Sequence, residues 1–169
     1  MAGTPTPRAN PMDVDRAAPV IVAQQIAVAA PPARIWDLLT DIDRWPAWNP
    51  DIASAVLDGP VAMGSTFRWT TAGLAITSTI GEAVPGKRIG WSGDTNGIVG
   101  IHLWTIEAGD LTGRSSVIQT VESWNGDLVR QDPETMRGLL QAAIKTWLGH
   151  LRTAAETATS PTINDPERR

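Results

Sequence analysis

Cysteine and tyrosine are both absent from this chain, and a single phenylalanine stands among its 169 residues. Without a thiol there is no disulfide, no thiolate metal site and no cysteine nucleophile. The lack also fits a reducing compartment, and a cytoplasmic location is the expectation. There are 2 histidines, with no His-x-x-x-His spacing and no carboxylate cluster beside them, so no metal ion is expected. The glycine-rich nucleotide loops are missing, whether GxGxxG after a strand or GxxxxGK before Ser or Thr, and so is the GxSxG nucleophile elbow. No cofactor is expected on these grounds. The 14 lysines and arginines are scattered and the net charge is −4, which argues against a nucleic-acid-binding face. No apolar run approaches the length of a bilayer crossing, so no membrane partner is expected. The N-terminus carries no charged start followed by an apolar run and cleavage site, so no secretion signal is expected.

What is present is tryptophan, 8 of them. An indole offers a wide flat surface and one N–H donor. Most of them serve as core filling; several can line a pocket for a flat or polycyclic ligand. With 42% apolar and 19% charged residues the chain suits one globular domain with loose ends. Residues 1–18 are rich in Pro, Ala, Asp and Arg without hydrophobic period and read as a flexible tail, as do residues 159–169. The domain is placed at residues 19–158.

Alternation from Pro19 to Ala29 predicts a first strand, stopped by Pro31-Pro32. Ala33 to Thr40 predicts a short helix with Ile35, Leu38 and Leu39 inward. Asp41 can cap a second, from Ile42 to Trp45, which Pro46 and Asn49-Pro50 end. From Ile52 to Trp124 strands and turns alternate: Ile52–Leu57, Thr66–Thr71, Leu74–Val84, Arg88–Asp94, Ile98–Glu107 and Ser115–Trp124. That spacing means an antiparallel meander. The period then changes. Asp132 caps and Pro133 opens a long helix whose Met136, Leu140, Ile144, Trp147, Leu151 and Ala155 form one stripe about six turns long. A sheet with one buried face needs a cover, and this helix is the only element long enough. The fold class is therefore α+β: a curved antiparallel sheet of about seven strands wrapped around a C-terminal helix.

Turn positions fix register. Two-residue turns at Ala72-Gly73, Pro85-Gly86 and Asn96-Gly97, with a loop centred on Thr112, place Ile80, Trp91, His102 and Glu122 in one row. Trp69, Ile76, Ser78, Trp104, Ile118 and Thr120 share that face, taken as the concave one. A one-residue error in any turn would flip that strand's faces. Met136 and Leu140 of the helix close the candidate binding set. Glu122 among apolar neighbours needs a partner, and His102 stands at cross-strand distance. Two readings of the pair are open: a proton-shuttling dyad in which Glu122 orients His102, or a structural hydrogen bond between buried polar groups. Asp41, Asp43, Asp94 and Asn96 are explained by caps and turns. Arg130 is expected exposed near one end of the pocket, and His150 on the surface. Gly138 and Gly149 in the helix leave room either for a ligand or for close sheet packing.

The opening strand followed by APPARIWDLLTDIDRWPAWNPDI resembles the polyketide cyclase/dehydratase branch of the START-like (SRPBCC) superfamily. The segment from Gly73 through ITSTIGEAVPGKRIGWSGDTNGIVGIHLW is similar to the same branch, as is VESWNGDLV. The resemblance covers roughly residues 20–157. It implies a helix-grip architecture enclosing a deep cavity, and hydrophobic ligands such as polyketides, lipids, sterols or plant hormones. His102 and Glu122 fall where this branch often carries His and Glu, and Trp91 and Trp104 match its tryptophans. Members that depend on a cavity tyrosine have no counterpart here. Three functions follow as expectations: a cofactor-independent cyclase or dehydratase, a carrier or sensor of a lipid or aromatic metabolite, or a protein-interaction module of the chaperone-activator type. A homodimer is left open.

Overall fold

Residues 10–157 are described by the structure, a computed structural model. Its elements are β1 (Val20–Val28), α1 (Pro32–Thr40), a 3-10 turn (Ile42–Arg44), α2 (Trp45–Trp48), β2 (Ile52–Asp58), β3 (Thr66–Thr71), β4 (Leu74–Val84), β5 (Arg88–Thr95), β6 (Ile98–Ala108), β7 (Ser116–Asn125), α3 (Asp127–Gln131) and α4 (Pro133–Thr157). The seven strands form one antiparallel sheet in the order β1-β7-β6-β5-β4-β3-β2. Helix α4 packs along β1 and over the inner face, burying Leu140, Ile144, Trp147, Leu148, Leu151 and Ala155. Arg137 ties it to the sheet edge by donating to the carbonyls of Ile21 and Pro19. Asp132 caps it, accepting from the Thr135 amide at 3.1 Å.

The expected register is present: Trp69 faces Ile76, Ile80 faces Trp91, Trp91 faces His102, His102 faces Glu122 and Trp104 faces Thr120. Ala72 and Asn96 both adopt positive φ before their glycines, as the tightest two-residue hairpins demand. One turn differs from its expectation. Val84 pairs with Arg88, so Pro85, Gly86 and Lys87 make a three-residue loop. A bulge between Ile80 and Glu82 absorbs the additional residue and restores Ile80 to its place opposite Trp91.

Other differences are local. Asp41 makes no side-chain cap. Pro46 does not end the second helix; it sits in the first turn of α2, where a missing N–H costs nothing. Helix α3, unexpected from the sequence, starts after Gly126 at φ 147°. An added Cβ at Gly138 or Gly149 would meet nothing within 4 Å, so neither glycine serves close packing. Residues 10–18 run across the outer face. Val14 is buried, the Asp15 amide donates to Ser123 Oγ, Asn125 donates to the Asp15 carboxylate, and Arg88 donates to the Met12 carbonyl. Residues 1–9 and the C-terminal stretch 159–169, read as tails, lie outside the described residues.

Candidate functional site

The inner face is built on aromatic packing. Trp45 is fully buried and touches Phe67, Trp69, Trp91 and Trp147 at ring-centroid distances of 5.3–5.9 Å. Trp104, also fully buried, lies 4.8 Å from the His102 ring and 5.6 Å from Trp147. Phe67 and these indoles belong to one buried core cluster.

Beside this core lies a hollow. A cavity of about 530 Å³ lies between sheet and helix, within the range of drug-sized ligand pockets. Its walls include Trp69, Trp91, Trp124 and Trp147, with Ile76, Ile98, Leu140, Ala143 and Ile144. Gly93 and Gly100 pair directly across β5 and β6 and both line the cavity; the room their missing side chains leave is taken by Ser78 and Ile76 above Gly93 and bordered by Glu122 and Trp124 at Gly100. Ser78 also accepts a hydrogen bond from Trp69 Nε1 at 3.1 Å.

Of the expected binding residues, Trp69, Ile76, Ser78, Trp91 and Leu140 line the cavity, together with His102 and Glu122. Ile80, Trp104, Thr120 and Met136 do not. Ile80 and Trp104 are sealed in the core, Thr120 stands behind His102, and Met136 packs at the core's margin. Trp124 and Trp147 were missed. Trp124 is two residues past Glu122 on the same strand and so shares its face; Trp147 belongs to the stripe already read from the helix period. Asn49 and Asp51, from the loop after α2, also line the cavity, and only tertiary structure brings that loop to the sheet. Arg130 is exposed and bonded to Asn125 and Asp127, away from the cavity. His150 is partly exposed and lies 3.4 Å from Asp51.

The polar pair has a defined proton arrangement. His102 Nδ1 is 3.1 Å from Glu122 Oε2, and its Nε2 is 2.8 Å from Thr120 Oγ1. The Thr120 hydroxyl donates its one hydrogen to the Leu103 carbonyl at 2.9 Å. Its oxygen is then an acceptor, so Nε2 carries the hydrogen. Nδ1 faces the carboxyl with a lone pair, and one proton lies between Nδ1 and Oε2. Trp124 Nε1 donates to the other carboxyl oxygen at 2.8 Å. Burial drives both groups toward their neutral forms: it pushes Glu122 up to about 7 and pulls the His102 imidazole down. The imidazole is 4% exposed and the Glu122 side chain 16%, so the carboxyl is the more accessible member.

Among the described residues no group of three or more His, Asp or Glu side chains could hold a metal ion. None of their helices is long and apolar enough to cross a membrane.

The family model described as polyketide cyclase / dehydrase and lipid transport matches residues 19–156. No curated protein sequence matches the chain. Solved structures of similar fold include a START superfamily protein from Mycobacterium smegmatis, 17% identical with a TM-score of 0.70, over 82% of this chain and 99% of that one. The Zhui aromatase/cyclase from a Streptomyces species is 17% identical with a TM-score of 0.68, over 83% of this chain and 95% of that one. The di-domain ARO/CYC BexL is 17% identical with a TM-score of 0.68, over 83% of this chain and 48% of that one. The helix-grip architecture, the strand order and a family match spanning nearly all of the described residues agree, and the chain belongs to the polyketide cyclase / dehydrase and lipid transport family.

Proposed function

We propose that the cavity binds a hydrophobic, polyketide-like or aromatic molecule and promotes its cyclisation or dehydration without a cofactor, by positioning and proton transfer. The observation that carries this reading is a buried carboxyl 3.1 Å from an imidazole nitrogen at the wall of an indole-lined cavity. Indole faces hold a flat chain in a folded conformation, which lowers the entropic part of a ring-closing barrier. The roles within the pair are the reverse of those the sequence suggested. His102 has both ring nitrogens engaged, so it is a positioning residue. Glu122 is the acid/base group. As an acid it protonates a ketone oxygen while an enol carbon attacks the carbonyl carbon and the enol O–H proton passes to solvent. The carboxylate so formed takes the α-hydrogen and returns it to the β-hydroxyl, which leaves as water, and a proton from solvent restores the Glu122 carboxyl. A carboxyl whose pKa is raised to about 7 serves in both directions near neutral pH.

The carrier reading keeps one observation in its favour. Both Glu122 oxygens already have partners, Trp124 and His102, as a purely structural network would. Turnover of synthetic aryl polyketones, followed by absorbance of the aromatic product, separates the two. Glu122→Gln is expected to lower turnover about a hundredfold or more with little change in ligand affinity. His102→Asn is expected to shift the pH profile of the rate through Glu122. Turnover unchanged in both variants removes the pair from catalysis. A wild type that binds such compounds without converting any of them is a carrier.

A further inference from the structure

We infer that the cavity selects an uncharged aromatic ketone or phenol and rejects the corresponding carboxylate. The inference rests on the binding reading above and narrows it to a ligand class. Three side chains that can carry charge line the cavity, Asp51, His102 and Glu122, and no lysine or arginine does. The arginines that could have turned inward are committed elsewhere. Arg68 pairs with Asp58, Arg88 with Glu82, Arg130 with Asp127, and Arg137 with the β1 carbonyls. A carboxylate entering this space would lose its water, find no lysine or arginine and meet two acidic side chains: Asp51, 57% exposed at the rim with His150 3.4 Å away, and Glu122 within.

An uncharged oxygen finds a complementary site. The proton between Glu122 and His102 is available to a carbonyl or phenol oxygen. Ser78 and the Asn49 side chain, both almost fully buried, add polar atoms to otherwise apolar walls. The four indoles supply flat faces for the rings. His102 gives an anion no help, because burial in apolar surroundings keeps its ring neutral.

Three probes of nearly equal shape and different charge decide it: 2-acetonaphthone, 2-naphthol and 2-naphthoate, titrated against tryptophan fluorescence at pH 6 and pH 8. The ketone and the phenol should bind at least about tenfold more tightly than the naphthoate at pH 8. The gap between the phenol, which can donate to the Glu122 carboxylate, and the naphthoate should widen from pH 6 to pH 8 as Glu122 loses its proton. In Asp51→Asn/Glu122→Gln, verified as folded by circular dichroism, it should narrow to about threefold or less. Gly100→Leu, which places a side chain in the hollow, should weaken the ketone about tenfold. Naphthoate binding as tightly as the ketone overturns the selectivity and leaves the aromatic-binding reading standing. Saturable binding by none of the three overturns both, and so does ketone binding indifferent to Gly100→Leu.

Discussion

At the scale of single residues, the Glu122–His102 pair is a statement about where one proton sits. Nε2–H is committed to Thr120, and Trp124 holds the far carboxyl oxygen, so the pair with its shared proton carries no net charge. A neutral pair suits a dry wall, where an isolated carboxylate would cost several kcal/mol, roughly. The consequence is a pH dependence of stability with a definite sign. The folded pKa of Glu122 is raised above its ordinary value of 4.5 to about 7. Its stabilising contribution is present below 4.5 and is lost as pH rises through 7, because the folded state then binds the extra proton less and less. His102 has the opposite sign: its lowered pKa gives stability that is present above 6.5 and lost as pH falls through 3. Comparing wild type with Glu122→Gln removes the histidine contribution, since the ring is neutral in both. Urea unfolding at pH 5 and pH 8 should show Glu122→Gln gaining about 2–3 kcal/mol on wild type over that interval. An unchanged difference would mean that Glu122 is already ionised at pH 5.

Elements explain what could be read in advance and what could not. The cross-strand row was legible because turn chemistry sets register locally. Ala72-Gly73 and Asn96-Gly97 each turn the chain in two residues, and the Gly109–Ser115 loop is organised around the Asp110 carboxylate, which accepts from Thr112 and Ser115. The β4–β5 turn was misjudged by one residue, and Trp91 kept its face only because the bulge at Gly81 corrected the count. Nothing local announces such a bulge. Nor could the strap formed by residues 10–18 be read, because its fit is non-local. Gly81 and Gly90 open a slot on the outer face that the Met12 side chain occupies above Leu103. An added Cβ at Gly81 would lie 2.5 Å from Met12 Sδ. Gly81→Ala should therefore cost about 1–3 kcal/mol in the intact protein and much less in the Met12→Ala background. A double-mutant cycle by urea unfolding measures this, and a coupling near zero would show that Met12 does not fill the slot in solution. The same logic hid the cavity's far wall: Asn49, Asp51 and Trp147 reach the sheet only through the packing of α2 and α4.

For the whole molecule, the central fact is that the sheet and α4 enclose both a packed aromatic core and a cavity. On one side Trp45, Phe67 and Trp104 are packed ring against ring and fully buried; on the other lies a cavity of about 530 Å³. A void of that size forfeits the dispersion contacts its walls would make with side chains, so the fold tolerates a loss of stability at the site where a guest can restore it. The packed core supplies rigidity, which holds the cavity's walls in place without a ligand. Binding to the folded state alone then stabilises by mass action. At a free concentration one hundred times the Kd, 2-acetonaphthone should add about 2.7 kcal/mol, a rise in Tm of several degrees for a domain of this size. Gly100→Leu, with ketone affinity weakened about tenfold, should show about half of that ligand-induced stabilisation at the same probe concentration. Scanning calorimetry of both proteins with and without the probe tests this. A ligand-induced rise in Gly100→Leu as large as that of wild type would mean that the probe binds away from the Gly100 wall of the cavity.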